Sequence, residues 1–186
     1  MIDIILNYFT NSSAITIIVL ALLSVYFVLI FWLFIYKNGQ LNSLITNERK
    51  SLESLTSRDS SLSPLSGLSR CAKTSRSKPL LHACEISIIK DASEGLSWLS
   101  IVSSTSPFIG LFGTVVGILE SFAKFSSQSK VGFSVIAPAI SEALVATAGG
   151  IFVAIFAYTF HQILTRKVYE LNTYLKAQSE ILIAKA

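Results

Sequence analysis

Three uninterrupted apolar stretches constrain this chain more than any other feature. Residues 15–36, 96–119 and 133–160 are 22, 24 and 28 residues long, and together they hold a single ionisable carboxylate, Glu142, and no Lys or Arg. A helix needs about 20 apolar residues to cross the ~30 Å hydrocarbon core of a bilayer. It is also the simplest way to satisfy every backbone polar group there. Each stretch meets that length, so the expected fold is an all-α integral membrane protein with three transmembrane helices. The other 112 of the 186 residues carry 25 of the 26 charged side chains, close to the ~25% of soluble domains. The low overall charge is therefore a local property of the three stretches.

The basic residues orient the spans. None precedes residue 15, whereas nine lie in the connection between the first two stretches and four in the C-terminal tail. Only Lys124 and Lys130 lie in the hairpin between the last two. Lys and Arg are retained on the cytoplasmic side. The expected order is an external N-terminus (1–14), a first span (15–36), a cytoplasmic loop (37–95) and a second span (96–121). An external hairpin (122–132), a third span (133–160) and a cytoplasmic tail (161–186) follow. The first stretch lacks a basic leader, has too long an apolar core and precedes no A-x-A-like site, so it reads as a permanent anchor rather than a signal peptide. Trp32 and Tyr36 at its inner end suit an interfacial aromatic belt.

The positive net charge of +4 reads as this topology signal. No basic cluster is interleaved with aromatics, so nucleic acid is not an expected partner. Leu41, Leu44, Ile45, Leu52 and Leu55 extend the first helix into the cytoplasm. A run with eight serines between residues 51 and 69, with Pro64 and Gly67, then breaks it. A second helix is expected from about Leu80 directly into span two, with Leu81, Cys84, Ile88 and Ala92 on one face. In the tail, Ile163, Val168, Leu171, Leu175 and Ile181 approximate an apolar stripe. Cys71 and Cys84 fall in a reducing compartment, where a disulfide is not expected. With His82 they match no zinc spacing, and His161 reads as an interfacial imidazole. No nucleophile motif, phosphate loop or dinucleotide fingerprint occurs; no enzyme activity, metal or cofactor is expected.

Spans two and three carry the information. Gly113 and Gly117 form a small-xxx-small pair, and Gly110 precedes them. Ala139, Ala143, Ala146, Gly150, Ala154 and Ala157 recur every three or four residues along span three. Such residues let helix backbones approach closely, and a packed bundle accounts for them. Glu142 is different. It lies nine residues, ~14 Å, below the outer end of its span. A carboxylate there costs roughly 2.5–3.5 kcal/mol on insertion scales, and it faces protein or water rather than lipid. An acid whose charged form is disfavoured by its surroundings can hold a proton at rest and exchange it when hydrated, which is the chemistry of a proton relay. Thr114 reaches Glu142's level if the two helices are antiparallel. Thr147 is five residues beyond Glu142, about 140° around the helix, so a conduit using both needs faces from neighbouring subunits. Either threonine can instead bond its own backbone.

The run from Pro107 to Ile118 (PFIGLFGTVVGI), followed by Ala137 to Ala148 (APAISEALVATA), closely resembles the paired signature of the MotA/TolQ/ExbB proton-channel family. The likeness covers about residues 103–158, and three spans rather than four place it with the TolQ/ExbB branch. The resemblance implies a multi-pass subunit of the bacterial inner membrane, its N-terminus periplasmic and its C-terminus cytoplasmic. Several copies, a pentamer in the family, would surround the single-span helices of an ExbD- or TolR-like partner. That motor would work on a TonB-like or TolA-like protein. The family's key glutamate falls on Glu142 and its functional threonines on Thr114 and Thr147. Pro107, Gly110, Gly113, Gly117, Pro138, Ala146 and Gly150 fall on its helix packing around the pore. Ala139 stands where many members have Gly, and Gly149-Gly150-Ile151-Phe152 departs slightly from the usual small-residue run. The cytoplasmic loop is short and serine-rich for the family. The competing expectation is a structural membrane ring without ion conduction, which needs the small residues but not an acid at depth.

Overall fold

The computed structural model of the chain describes residues 14–57, 66–69, 77–125 and 133–184. Four helices account for nearly all of them: α1 (Ala14–Thr56), α2 (Lys78–Ser93), α3 (Leu96–Phe125) and α4 (Phe133–Ala184). Among the described residues there is no strand. α1, α3 and α4 are long and apolar enough to cross a membrane, which is the expected class. α1 has 43 residues and α4 has 52, more than twice what a span requires. Each continues as helix into the charged sequence that follows its apolar stretch. The N-terminal segment 1–13, most of the serine-rich run with Pro64 and Cys71, and the hairpin tip 126–132 lie outside the described residues.

The chain divides into two units. The first comprises α1 up to Phe31 together with Trp98–Thr159. Thr16, Val19, Leu23 and Ile30 form the buried stripe of α1, so one face of this apolar helix packs against protein. Leu99, Val102 and Ser106 of α3, with Ala143, Ala146, Val153 and Ala157 of α4, complete the core. Phe27, Phe31, Phe152 and Phe156 interlock, with an edge-on contact between Phe27 and Phe156 at a centroid distance of 5.6 Å. Ile18, Val28, Phe108 and Phe152 are exposed. A surface of such residues suits lipid or another apolar neighbour, not water.

The second unit comprises Trp32–Ser97 with Phe160–Ala186. Its core is a leucine ladder: Leu41 and Leu55 from α1, Leu81 from α2, and Leu164, Leu171, Leu175 and Leu182 from α4. The tail stripe is therefore rotated from the expected one. Leu164 and Leu182 are buried, whereas Ile163 is exposed and Val168 and Ile181 are half-buried. The reason is that Gln178 fills the core position between Leu175 and Leu182, and Glu48 does the same between Leu41 and Leu55. Two polar residues at inward positions broke the apolar pattern that periodicity relies on.

The connection into the second span also departs from expectation. α2 stops at Ser93, and α3 restarts at Leu96 after a two-residue turn. Gly95 occupies the left-handed region at φ 87°, the usual way to end a helix. Beneath the turn, the buried Lys37 donates from Nζ to the carbonyl of Asp91 at 3.3 Å, a favourable site for a cation at a helix C-terminus. At its other end α2 begins after Ser77 with Pro79 in its first turn, where the missing amide costs nothing. Cys84 on α2 is disulfide-bonded, contrary to the reduced thiol expected there. The chain's other cysteine, Cys71, is outside the described residues.

Candidate functional site

In the first unit α3 and α4 run antiparallel with their backbones in contact. Ser106 and Gly110 of α3 lie against Gly150 of α4, and Gly117 lies against Ala143. A Cβ on Gly110 would stand 2.6 Å from the carbonyl oxygen of Ala146, and one on Gly150 would stand 2.5 Å from that of Ser106. No side chain fits at either position without moving a helix. Gly113 and Gly117 are next along α3 and are less constrained. They face Val19 and Thr16 of α1 on one side, and Ala146 and Ala143 of α4 on the other.

This close approach carries two hydroxyls to one point. Thr114 is buried on α3, with Oγ1 3.2 Å from the carbonyl of Gly110 on its own helix and 3.0 Å from that of Ala143 on α4. The Thr147 Oγ1 contacts the Thr114 Oγ1 directly and lies 3.3 Å from the Gly110 carbonyl. Thr114 thus bonds both its own backbone and the opposite helix. A hydroxyl offers one hydrogen and accepts through two lone pairs. Thr147 can donate to Thr114, which then donates to the carbonyl of Ala143 or of Gly110, or Thr114 can donate to Thr147, which then donates to the Gly110 carbonyl. The pair can pass a hydrogen-bond polarity in either direction without moving a heavy atom.

Glu142 is on α4, immediately before Ala143, whose carbonyl faces Thr114. Its side chain is half-buried, with Oε1 shielded from solvent. Thr147 stands ~7.5 Å further along the same helix and about 140° around it. The hydroxyl that meets Thr147 is Thr114 of the same chain, so this pairing needs no second subunit. Pro107 and Pro138 both lie inside helices, three residues before Gly110 and four before Glu142. Each removes one backbone amide from its helix. Pro138 is exposed and Pro107 half-buried, while nothing is described of the Ala139 side chain.

Of the residues singled out from sequence, Thr114, Thr147, Gly110, Ala146 and Gly150 converge at one crossing. Gly113 and Gly117 continue the same contact toward α1. Two participants were missed. Thr16 is buried, with its Oγ1 closest to the position a Gly117 Cβ would take. Ser106 is wholly buried, donates to the Val102 carbonyl at 2.7 Å and presents its own carbonyl to Gly150. A threonine in an otherwise aliphatic first span, and a serine four residues before glycine, were the available signals. Among the described residues no cluster of three or more His, Cys, Asp or Glu side chains is placed to hold a metal ion.

Comparison with known proteins places this site in context. Residues 59–177 match the MotA/TolQ/ExbB proton channel family, a span that contains α2, α3 and most of α4. The chain is 43% identical over 188 aligned residues to the ExbB-like 1 biopolymer transport protein of Helicobacter pylori, covering all of both chains. It is 40% identical over 79 residues to the biopolymer transport protein ExbB of Pseudomonas putida, which is 42% of this chain and 24% of that one. It is 50% identical over 60 residues to the Tol-Pal system protein TolQ of Pseudomonas aeruginosa, 32% of this chain and 26% of that one. Three apolar helices, a hydroxyl pair at a glycine crossing and these matches lead to one assignment: the chain belongs to the MotA/TolQ/ExbB proton channel family.

Proposed function

We propose that this chain is the ring-forming subunit of an ExbB–ExbD- or TolQ–TolR-type motor in the bacterial inner membrane. In it, protons descending their gradient drive movement of a single-span partner, and through it a TonB-like or TolA-like protein. The observation that carries this reading is the polar cluster within the membrane-spanning helices, where Thr114 bonds the carbonyl of Ala143, the residue after Glu142, and meets the Thr147 hydroxyl about one turn further along. Glu142 hydrates and polarises the path, and the hydroxyl pair supplies hydrogen bonds along it. A family pentamer, with its N-terminus periplasmic and its tail cytoplasmic, gives the partner helices a central seat. Pro107, Pro138 and the small residues Gly110, Gly113, Gly117, Ala146 and Gly150 hold the helices that line it. The relatives that match from end to end bear the ExbB-like transport name, which favours transport across the outer membrane over Tol-Pal envelope maintenance.

Each proton crossing 100 mV releases ~2.3 kcal/mol, so one working stroke draws on several. The test is proton flux into liposomes holding the ring and its partner, for wild type and for Glu142→Gln. Flux should collapse in the variant while ring assembly is unchanged. Equal flux in the two proteins would refute the role of Glu142. Assembly without flux in the wild type would favour a scaffold ring.

A further inference from the structure

The second unit contains a buried carboxylate that the proposed proton path does not use. Glu48 is 1% exposed on α1. Its Oε1 accepts from the Gly67 amide at 2.6 Å, and its Oε2 from the Ser66 hydroxyl at 2.8 Å and the Gln178 side-chain amide at 2.9 Å. Gln178, also fully buried, donates to the Glu48 backbone carbonyl at 2.9 Å as well. Its own oxygen lies 3.3 Å from both the Ser51 and Ser66 hydroxyls. Residues 66–69 are a turn within the serine-rich connection that becomes helical at Leu68, with the Ser69 amide donating to the Ser66 carbonyl. Leu68 is wholly buried, and Ser66 and Ser69 nearly so. Gly67 fits because it has no side chain: a Cβ there would meet Ile88 Cδ1 at 2.9 Å and Glu48 Oε1 at 3.4 Å.

We propose that residues 66–69 are a releasable clip on the second unit, with Glu48 as its latch. A carboxylate buried away from water is tolerated only while hydrogen bonds replace its hydration. Two of the three donors described above belong to the clip, and the third belongs to α4. Among the described residues, the clip in return is held to the unit by these bonds and by the buried Leu68. Glu48 therefore keeps its full set of donors only while the clip is docked, as expected of a polar network satisfied only when complete. In the closed state the clip joins the α1 face bearing Glu48 and Ser51 to the α4 face bearing Gln178, with Ile88 of α2 as its wall. In the open state Glu48, Ser51 and Gln178 form a hydrated slot whose chemistry suits a hydroxyl and a peptide amide. The clip gives this unit a closed and an open arrangement, independently of how protons cross the membrane.

Amide hydrogen exchange of the full-length chain in detergent or nanodiscs tests this directly, because local opening sets the exchange rate of a docked segment. Glu48→Gln places an NH2 group against the Gly67 amide or the Gln178 amide, donor against donor. Exchange over residues 66–69 should rise at least tenfold, while that of the α1 and α4 ladder around Leu41, Leu171 and Leu175 stays within about threefold. Ser66→Ala removes one donor, leaves the carboxylate in place and should give a smaller rise over the same residues. The change Glu170→Gln at an exposed site on α4 should change neither. Unaltered exchange over 66–69 in Glu48→Gln would overturn the proposal. So would an equal rise throughout the unit, which would make Glu48 an ordinary core residue rather than a latch.

Discussion

Gly110→Ala sets two opposing effects against each other, and the structure decides between them. Alanine is the better helix former by about 1 kcal/mol, so a glycine with room around it should be improved by the change. At Gly110 the new methyl would sit 2.6 Å from the Ala146 carbonyl oxygen, 3.0 Å from the Thr147 Cα and 3.1 Å from the Gly150 Cα. All three are backbone atoms and cannot swing aside. A comfortable C···O contact is about 3.3 Å, so α3 and α4 must part there by roughly 0.7 Å. The same displacement would carry the Thr114–Ala143 bond from 3.0 Å to near ~3.7 Å, beyond hydrogen-bond range. Overpacking costs typically 1–3 kcal/mol and the lost bond about 0.5–1.5 kcal/mol, which together exceed the propensity gain. A net loss of about 1–3 kcal/mol is expected from unfolding titrations in mixed micelles. Gly39→Ala is the internal control: it is exposed on α1 with nothing within 4 Å of a Cβ, and should gain up to about 1 kcal/mol. If Gly110→Ala were as stable as wild type or more so, the backbone contact at this crossing would be refuted.

Three further outcomes follow from other sites. Thr114→Ser keeps the hydroxyl and should retain proton flux in reconstituted liposomes, whereas the near-isosteric Thr114→Val should lose most of it with a stability change of only about 0.5–1.5 kcal/mol; equal flux from both would dismiss the hydroxyl. Gly95→Ala should cost about 1–2 kcal/mol in the same titrations because of its positive φ, not through a clash, since a Cβ there would have ordinary 3.7 Å contacts. Leu171→Ala removes a wholly buried side chain and should cost about 2–5 kcal/mol, while Ile163→Ala, at 39% exposure, should cost under ~1 kcal/mol; a cost for Ile163→Ala equal to or above that for Leu171→Ala would refute the exposed position of Ile163.

The spans were legible because the physics behind them is coarse: hydrocarbon excludes charge over about 20 residues, and only three stretches comply. The small residues of α3 and α4 were legible as packing because of their spacing, although which glycines touch backbone emerged only in three dimensions. The rotation of the tail stripe was not legible. Gln178 and Glu48 occupy core positions because they bond one another and a loop distant in sequence, and a periodicity of apolar residues counts such positions as surface. The break at Gly95 carried a local signal, a glycine just after a short helical run, but the shared face of Leu81, Cys84, Ile88 and Ala92 ahead of the apolar stretch suggested continuity. The angle between Glu142 and Thr147 was legible from helix geometry, whereas the contact of Thr147 with Thr114 across the antiparallel crossing emerged only in three dimensions.

The threonine pair has a consequence that lies in arithmetic rather than geometry. Four oxygen–oxygen contacts join Thr114, Thr147 and the carbonyls of Gly110 and Ala143, yet only two hydroxyl hydrogens exist to fill them. The cluster thus has fewer hydrogens than contacts, and the two hydrogens choose among alternative orders. The resting arrangement is selected by whatever charge stands nearby, so the orientation of these two O–H bonds follows the local field. Valine at position 114 would leave the Thr147 hydroxyl only the Gly110 carbonyl of this set, whereas valine at position 147 would still leave Thr114 a choice between the carbonyls of Gly110 and Ala143.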